Sequence, residues 1–130
     1  ITDEDNLIEA GLGFTAAMTK SDFVGKQAIL ERKASGVDRL MLQFLLNDPS
    51  KMIYHHEPII RGQEIVGYLT SGNYGHYLGS GVGLGYVDCR GLTKEKILSF
   101  DYFIDVAGEV TPVKVSIKPF YDPKSHRVRA

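Results

Sequence analysis

The sequence predicts a mostly β domain, an antiparallel β-barrel of about six strands with one N-terminal helix. Between residues 39 and 118, six apolar or alternating segments are separated by short turns rich in Gly, Pro, Asn and Asp, as is typical of antiparallel strands. Only residues 21–36 combine a capping sequence, an apolar stripe and a terminal glycine, as in a helix. Short strands joined by short turns favour a small closed or nearly closed barrel.

The composition excludes several classes of partner. The chain has 130 residues, of which 43% are hydrophobic, so it can form one domain with a core. Its 15 Lys and Arg residues balance 16 Asp and Glu residues, which predicts no binding surface for nucleic acid or for an anionic membrane. Apolar runs are only a few residues long, and the acidic residues 1–6 do not fit a secretory signal. Because the chain lacks an initiator Met, we expect a domain taken from a longer protein.

The helix is predicted to begin at Ser21-Asp22, which can cap it, and to end at Gly36. Its apolar residues form a stripe, so we expect the helix to lie on another surface rather than inside the core. The stripe consists of Phe23, Val24, Ala28, Ile29, Leu30 and Ala34.

From Arg39 onward the pattern changes to that of strands. The predicted strands are residues 39–46, 58–60, 63–69, 82–87, 97–106 and 110–118. Residues 61–62 and 107–109 are interpreted as hairpin turns and residues 47–50 as a further turn. The charged residues 93–96 are interpreted as a solvated turn.

Residues 70–87 contain six of the chain's 14 glycines. Three of them alternate with bulky residues, so one face of a strand has no side chains: Gly81, Gly83 and Gly85 against Val82, Leu84 and Tyr86. A strand glycine costs about 0.5–1 kcal/mol relative to alanine, so we expect this face to pack closely against a neighbour or a ligand. A barrel corner is favoured over a phosphate-binding loop, because no helix is predicted to follow and no Gly-Lys-Ser/Thr occurs.

No sequence motif of a metalloprotease, a zinc site or a serine hydrolase is present. Cys89 is the only cysteine, so no internal disulfide is possible, and a structural role is favoured over a nucleophilic one. His55 and His56 are adjacent in an extended segment and should point to opposite faces, so no metal site is predicted. His76 is the histidine best placed to meet a ligand, although a surface position or a partner contact is favoured for it.

Several ordered segments, covering nearly the whole chain, resemble the C-terminal region of the aminomethyltransferase (glycine cleavage T-protein) family. The matching segments are residues 9–14 (Glu-Ala-Gly-Leu-Gly-Phe), 22–28 (Asp-Phe-Val-Gly-Lys-Gln-Ala), 58–67, 70–72, 78–79, 82–87 and 119–120. The ending at residues 119–123, followed by Arg127 and Arg129, is similar to the subgroup fused behind FAD-dependent sarcosine and dimethylglycine dehydrogenases.

The resemblance implies that residues 1–20 are a linker from a preceding folate-binding domain and that residues 21–130 are the barrel. In such a parent protein, FAD in a domain outside this chain oxidises an N-methyl amine, and the one-carbon unit passes to tetrahydrofolate. The family's catalytic aspartate precedes Ile1, so the resemblance implies no catalytic residue in this chain. We expect the parent in the bacterial cytoplasm or, in a eukaryote, in the mitochondrial matrix.

Two alternatives stay open at this point. The parent could be a stand-alone aminomethyltransferase that works with a lipoyl carrier protein, or the barrel could be a non-catalytic docking module.

The resemblance implies one cofactor-binding residue, Phe14, because the dehydrogenase members commonly have a folate-contacting Tyr at this position. The ring is kept here and the hydroxyl is lost, so stacking on a pterin or aminobenzoyl group is still possible. The alternative for Phe14 is a place in the core.

Overall fold

The computed structural model describes residues 1–129, and they form a closed barrel of six antiparallel strands. The strands are β1 Arg39–Leu46, β2 Pro58–Arg61, β3 Glu64–Gly75, β4 Ser80–Asp88, β5 Tyr102–Val106 and β6 Glu109–Ser116. Their order around the barrel is β1-β4-β3-β2-β5-β6, and pairing of β6 with β1 closes it. Two helices, α1 Lys26–Ser35 and α2 Lys94–Leu98, and a short 3₁₀ turn, Gly13–Thr15, lie outside the strands. The predicted fold class is confirmed.

The glycine face of β4 points into the barrel. A Cβ atom on Gly85 would lie 2.6 Å from Ile59 Cδ1 and 2.7 Å from the Tyr68 carbonyl oxygen. A Cβ atom on Gly81 would lie 2.8 Å from Leu46 Cδ1. The predicted close packing is confirmed, and the neighbours belong to the barrel itself, as a barrel corner requires.

Ile53 fills one end of the barrel. It lies in the connection between β1 and β2, and its side chain is fully buried. Cβ atoms placed on Gly72 and Gly83 would lie 3.0 Å from Ile53 Cγ1 and 3.1 Å from Ile53 Cδ1, respectively. The glycines therefore make room for a side chain from a connecting loop.

Helix α1 begins at Lys26, later than predicted. The Asp22 carboxylate accepts a hydrogen bond from the adjacent Phe23 N–H at 2.9 Å, so it closes a local turn instead of capping the helix. Gly25 has a φ of +88°, a left-handed conformation that a right-handed helix cannot include. The capping prediction for Ser21-Asp22 is therefore wrong, whereas the predicted end at Gly36, with a φ of +82°, is confirmed.

The apolar stripe of the predicted helix is not buried within residues 1–129. Val24 is fully exposed and Leu30 is 42% exposed, and no residue of α1 is buried. The expectation that this helix lies on another surface is not met by the residues described here. Neither helix has the length and hydropathy of a membrane-crossing segment.

The connection before β5 is helical, which corrects two predictions. Thr93 Oγ1 accepts a hydrogen bond from the Lys96 N–H at 3.2 Å and so caps α2, where a solvated turn was expected. Ile97 is 1% exposed and belongs to the core as a helix residue, so the predicted strand at 97–106 begins only at Tyr102. Strand β3 continues to Gly75, beyond the predicted end, and β6 ends at Ser116, before it.

Candidate functional site

Phe14, the predicted folate contact, lies on the 3₁₀ turn Gly13–Thr15 within the N-terminal segment (residues 1–20). Its side chain is 83% exposed, so the ring does not belong to the core of the described chain. The turn is held by Thr15, whose N–H and Oγ1 both donate to the Leu12 carbonyl at 2.9 and 2.7 Å. An aromatic ring on a well-defined turn is thus available to a partner or a ligand, and folate contact stays a prediction.

Arg39, the first residue of β1, joins the N-terminal segment to the barrel. Its Nη2 donates to Asp5 Oδ1 at 2.8 Å, and its Nε donates to Glu9 Oε2 at 3.1 Å. The two carboxylate side chains are only 7% and 8% exposed, whereas the Arg39 side chain is 43% exposed. Its guanidinium carbon lies 4.6 Å from the centroid of the Tyr86 ring, close enough for a cation–π contact. We call Asp5, Glu9, Arg39 and Tyr86 the Arg39 cluster.

A backbone hydrogen bond supports the same attachment. Strand β1 pairs with β6 only from Gln43 onward, so its first half has no partner on that side. The Met41 N–H there donates to the Glu9 carbonyl oxygen at 2.8 Å. Because a buried backbone donor without a partner is costly, the N-terminal segment completes the edge of β1. Glu9 thus contacts β1 through both its backbone and its side chain.

The surroundings of Tyr86, Arg39 and Asp5 shift the pKa values of these three residues. Burial raises the pKa of Tyr86 to about 12, and the nearby Asp5 carboxylate acts in the same direction. The Tyr86 hydroxyl is buried and has no hydrogen-bond partner among residues 1–129. The hydrogen bond to Glu9 raises the pKa of Arg39, and a hydrogen bond from the Thr2 backbone lowers the pKa of Asp5.

A cavity beside this cluster measures about 620 Å³. Its charged lining residues are of both signs: Glu4, Glu9, Asp38 and Asp88 against Arg32, Arg39 and Arg90. Arg39 and Arg90 are already paired with carboxylates of the chain. The cavity therefore favours neither an anionic nor a cationic ligand.

Cys89 has the surroundings of a structural residue. It is buried, and its Sγ donates to the Val37 carbonyl oxygen at 3.3 Å. Burial raises the pKa of its thiol, and the Asp88 carboxylate adds to the effect. Since the thiolate is the reactive form, this environment disfavours nucleophilic chemistry at neutral pH.

The histidines do not form a metal site in the part of the chain that the structure describes. His56 has a φ of +66°, and the rings of His55 and His56 lie 4.7 Å apart, so the expectation that they point to opposite faces is wrong. No group of three His, Cys, Asp or Glu residues suited to a metal occurs within residues 1–129. His76 lies in the turn between β3 and β4, with its ring centroid 5.3 Å from that of Tyr74.

The sequence and the barrel together match a known family. The model of the glycine cleavage T-protein C-terminal barrel domain matches residues 39–122, which is well over half of the chain. The chain belongs to this family. A crystal structure of the glycine cleavage system aminomethyltransferase T from Bartonella henselae superposes with a TM-score of 0.71 at 22% identity. The match covers 88% of this chain and 32% of that one, and it shows that the two share a fold.

T-protein barrels occur in curated relatives of two kinds. The chain is 38% identical over 126 residues to a 4-methylaminobutanoate oxidase (formaldehyde-forming) of Paenarthrobacter nicotinovorans, covering 96% of this chain and 15% of that protein. It is 33% identical to an aminomethyltransferase of Synechocystis, covering 93% and 32%, respectively. It is 27% identical to human mitochondrial sarcosine dehydrogenase, covering 97% and 14%. The chain thus spans between a seventh and a third of the length of these relatives.

No local pattern in the sequence indicates the Arg39 cluster. The pattern predicts Arg39 only as the start of a strand, and Glu9 enters only as part of the segment that resembles the family. Their ion pairs join residues 30 and 34 positions apart, and no local periodicity marks such a pair. The only available signal is an arginine opening a strand that is otherwise largely apolar.

Proposed function

We propose that the chain is the C-terminal barrel of a folate-dependent one-carbon enzyme whose parent also carries an FAD-linked amine dehydrogenase. The observation that supports this best is the 38% identity, over nearly the whole chain, to an oxidase named for a methylamino substrate and for forming formaldehyde. The similarity to a sarcosine dehydrogenase over 97% of the chain supports the same assignment. The parent would oxidise an N-methyl amine at the flavin and transfer the one-carbon unit to tetrahydrofolate.

In this proposal the barrel closes one side of the folate channel. Phe14, Val24 and Leu30 are large apolar side chains on the N-terminal side of the chain, and all three are exposed. Apolar side chains exposed near one another in sequence mark a contact surface when a partner domain is expected. The partner is the folate-binding domain that we place before residue 1, with residues 1–20 as the linker and residues 21–130 as the barrel.

Phe14 is the residue that we place against the folate. Its exposed ring can stack on the pterin or aminobenzoyl group, and a stacking contact of this kind is worth about 1–3 kcal/mol by analogy with stacked bases. Loss of the hydroxyl found in a Tyr removes one hydrogen bond at most, a net ~0.5–1.5 kcal/mol. Stacking alone is therefore sufficient for a measurable contribution to binding.

The test uses the full-length parent. Phe14→Ala should weaken tetrahydrofolate binding by roughly 5- to 150-fold, the range that follows from the stacking energy, and should leave amine oxidation at the flavin unchanged. Tyr77→Ala is the matched control, because Tyr77 is an aromatic residue 65% exposed in the turn between β3 and β4. Equal folate affinity in the wild type and in Phe14→Ala would remove Phe14 from the site.

A stand-alone aminomethyltransferase working with a lipoyl carrier protein is the second candidate for the parent. It is favoured by relatives of that name at 33% and 32% identity, each covered to 32% of its length. Sequencing upstream of residue 1 separates the candidates, since the barrel would form about 15% of an oxidase-like parent but about 32% of an aminomethyltransferase. A parent without a Gly-x-Gly-x-x-Gly strand-turn-helix near its N-terminus would contradict the flavin assignment. A parent without a folate-binding domain would instead support a docking barrel.

A further inference from the structure

We propose that Arg39 is a positioning residue for Phe14: by holding Asp5 and Glu9 against the barrel, it fixes where the Phe14 ring is presented. The positioning itself is a property of this chain. Its consequence for folate rests on the proposed function. Arg39 would not touch the folate, and its effect would be transmitted through the N-terminal segment.

Arg39 supplies the counter-charge for two buried carboxylates of the N-terminal segment. The Asp5 and Glu9 side chains are more than nine-tenths buried, and a buried carboxylate is tolerated only when it is paired. Within residues 1–129, Arg39 is the only ion-pair partner of Glu9. Asp5 has one other partner, the amino group of Ile1 at 4.0 Å, which exists only if the chain begins there. Removing Arg39 would leave both carboxylates without their main counter-charge, which favours release of the segment into water.

Backbone hydrogen bonds connect the residues around Glu9 to the turn that carries Phe14. Ala10 N–H donates to the Asn6 carbonyl at 3.0 Å, and Leu12 N–H donates to the Leu7 carbonyl at 2.8 Å. The Thr15 hydrogen bonds to Leu12 then close the turn that carries Phe14. Residues 6–15 thus form one hydrogen-bonded unit. Since the Phe14 side chain is itself 83% exposed, the position of its ring depends on how this unit is held.

Arg39 lies outside the core on which the folding of the barrel depends. Along β1, Leu40 and Leu42 point into the core, at 4% and 0% exposure, whereas Arg39 points away from it with a side chain 43% exposed. The six strands close without any residue of the N-terminal segment. We therefore expect replacement of Arg39 to loosen residues 5–15 while the barrel stays folded.

A fluorescence experiment on this chain tests the positioning directly. The sequence contains no tryptophan, so Phe14→Trp introduces a single tryptophan at the position of interest, which can be excited selectively at the long-wavelength edge where the tyrosines do not absorb. In that background, Arg39→Gln should lower the fluorescence anisotropy of the new tryptophan, because the turn moves more freely. Arg39→Lys, which keeps the charge but cannot donate to two carboxylates in the same way, should give an intermediate value. Arg90→Gln is the control, because Arg90 pairs with Asp88 of β4 and not with the N-terminal segment.

A second measurement uses the full-length parent and tetrahydrofolate. Arg39→Gln should weaken binding by roughly 2- to 13-fold, the cost of ordering one side chain and its turn on binding. Arg39→Lys should restore part of the affinity, and amine oxidation at the flavin should be unchanged. This split between folate affinity and oxidation would not arise from general destabilisation of the parent.

The outcomes are distinguishable. Unchanged anisotropy in Arg39→Gln overturns the inference, and so does loss of the barrel's cooperative unfolding, which would show a global structural role. Lower anisotropy in a parent that binds no tetrahydrofolate even as wild type supports the positioning and refutes the proposed function. Lower anisotropy with equal folate affinity in wild type and Arg39→Gln overturns the role of Arg39 in the folate site.

Discussion

Phe44 in the barrel and Phe14 in the N-terminal segment are the same residue type in opposite surroundings. Phe44 is fully buried, and its ring meets Tyr102 edge to face with centroids 6.2 Å apart. Phe14 is 83% exposed. The barrel has a fully buried core and its six strands close on one another, with the N-terminal segment completing the free edge of β1, whereas the region before β1 leaves Phe14, Val24 and Leu30 exposed. The difference indicates that the barrel supplies stability, and it supports our proposal that the N-terminal region contacts a partner domain.

Glycines differ between the two regions in the same way. In the barrel, Gly67, Gly83 and Gly85 leave no room for a side chain, because a Cβ atom would meet backbone or core atoms at 3.0 Å or less. In the N-terminal region, Gly11 and Gly25 have empty space around them and serve through a positive φ. These three strand glycines therefore allow close packing, whereas Gly11 and Gly25 allow the chain to change direction.

The largest expected effect tests the contrast between the two phenylalanines. Phe44→Ala should lower the free energy of unfolding by about 3–5 kcal/mol, because it removes a ring from a filled core and leaves a cavity. Phe14→Ala should change it by no more than about 0.5 kcal/mol, as for an exposed surface residue. Urea unfolding of both variants measures the difference. A similar loss in both would show that Phe14 packs within this chain.

The second-largest effect is expected at Gly67 of β3, compared with Gly13 of the N-terminal segment. A Cβ atom on Gly67 would lie 1.8 Å from the Tyr86 carbonyl oxygen, so Gly67→Ala must separate β3 from β4. We expect a loss of about 3 kcal/mol, the upper end for overpacking. Gly13→Ala is the control, because its Cβ atom would meet only the flexible end of Ile8 at 3.2 Å. Thermal unfolding of the two variants should differ clearly, and equal melting temperatures would contradict the close approach of the strands.

A smaller loss is expected at the glycine face of β4. Gly83→Val places three carbons where a Cβ atom alone would lie 3.0 Å from Leu69 and 3.1 Å from Ile53. Because the neighbours are side chains rather than backbone, part of the strain can relax, and we expect a loss of roughly 1–3 kcal/mol. Val82→Ala, on the outward face of the same strand, should cost less. An unchanged melting temperature for Gly83→Val would show that the interior has spare room.

The smallest effect concerns Tyr86, where the two regions meet. Its pKa is raised from 10.0 to about 12, so between these values the unfolded chain loses a proton that the folded chain keeps. Its contribution to stability is thus fully present below pH 10.0 and is lost as the pH rises through about 12. Burial also raises the pKa of Tyr102. In a pH titration of the folded chain followed by ultraviolet absorbance, Tyr86 and Tyr102 should therefore lose their protons at a higher pH than a free tyrosine.

Tyr86→Phe should remove the contribution of one of these two tyrosines to the high-pH part of the absorbance titration. It should also reduce the loss of stability at high pH. If Tyr86→Phe left the late part of the titration unchanged, the Tyr86 hydroxyl would not be buried as the structure shows.

The barrel was predictable from the sequence because its signals are local. A largely apolar run bounded by a turn cluster located β1 at Arg39–Leu46 to the residue. The close packing of the glycine face of β4 followed from the alternation of glycines with bulky residues, which has the period of a strand. Both signals lie within a few neighbouring positions, which a single sequence displays directly.

Other features were decided only by the tertiary structure. The left-handed conformation of Gly25 delays the start of α1, and the burial of Ile97 makes a short helix out of what the pattern indicates as a strand. The Arg39 cluster depends on the N-terminal segment returning to β1 across 30 and 34 positions. Exposure of Phe14 depends on where that segment then leaves the barrel. These contacts join distant parts of the chain, so no local pattern of residues carries them.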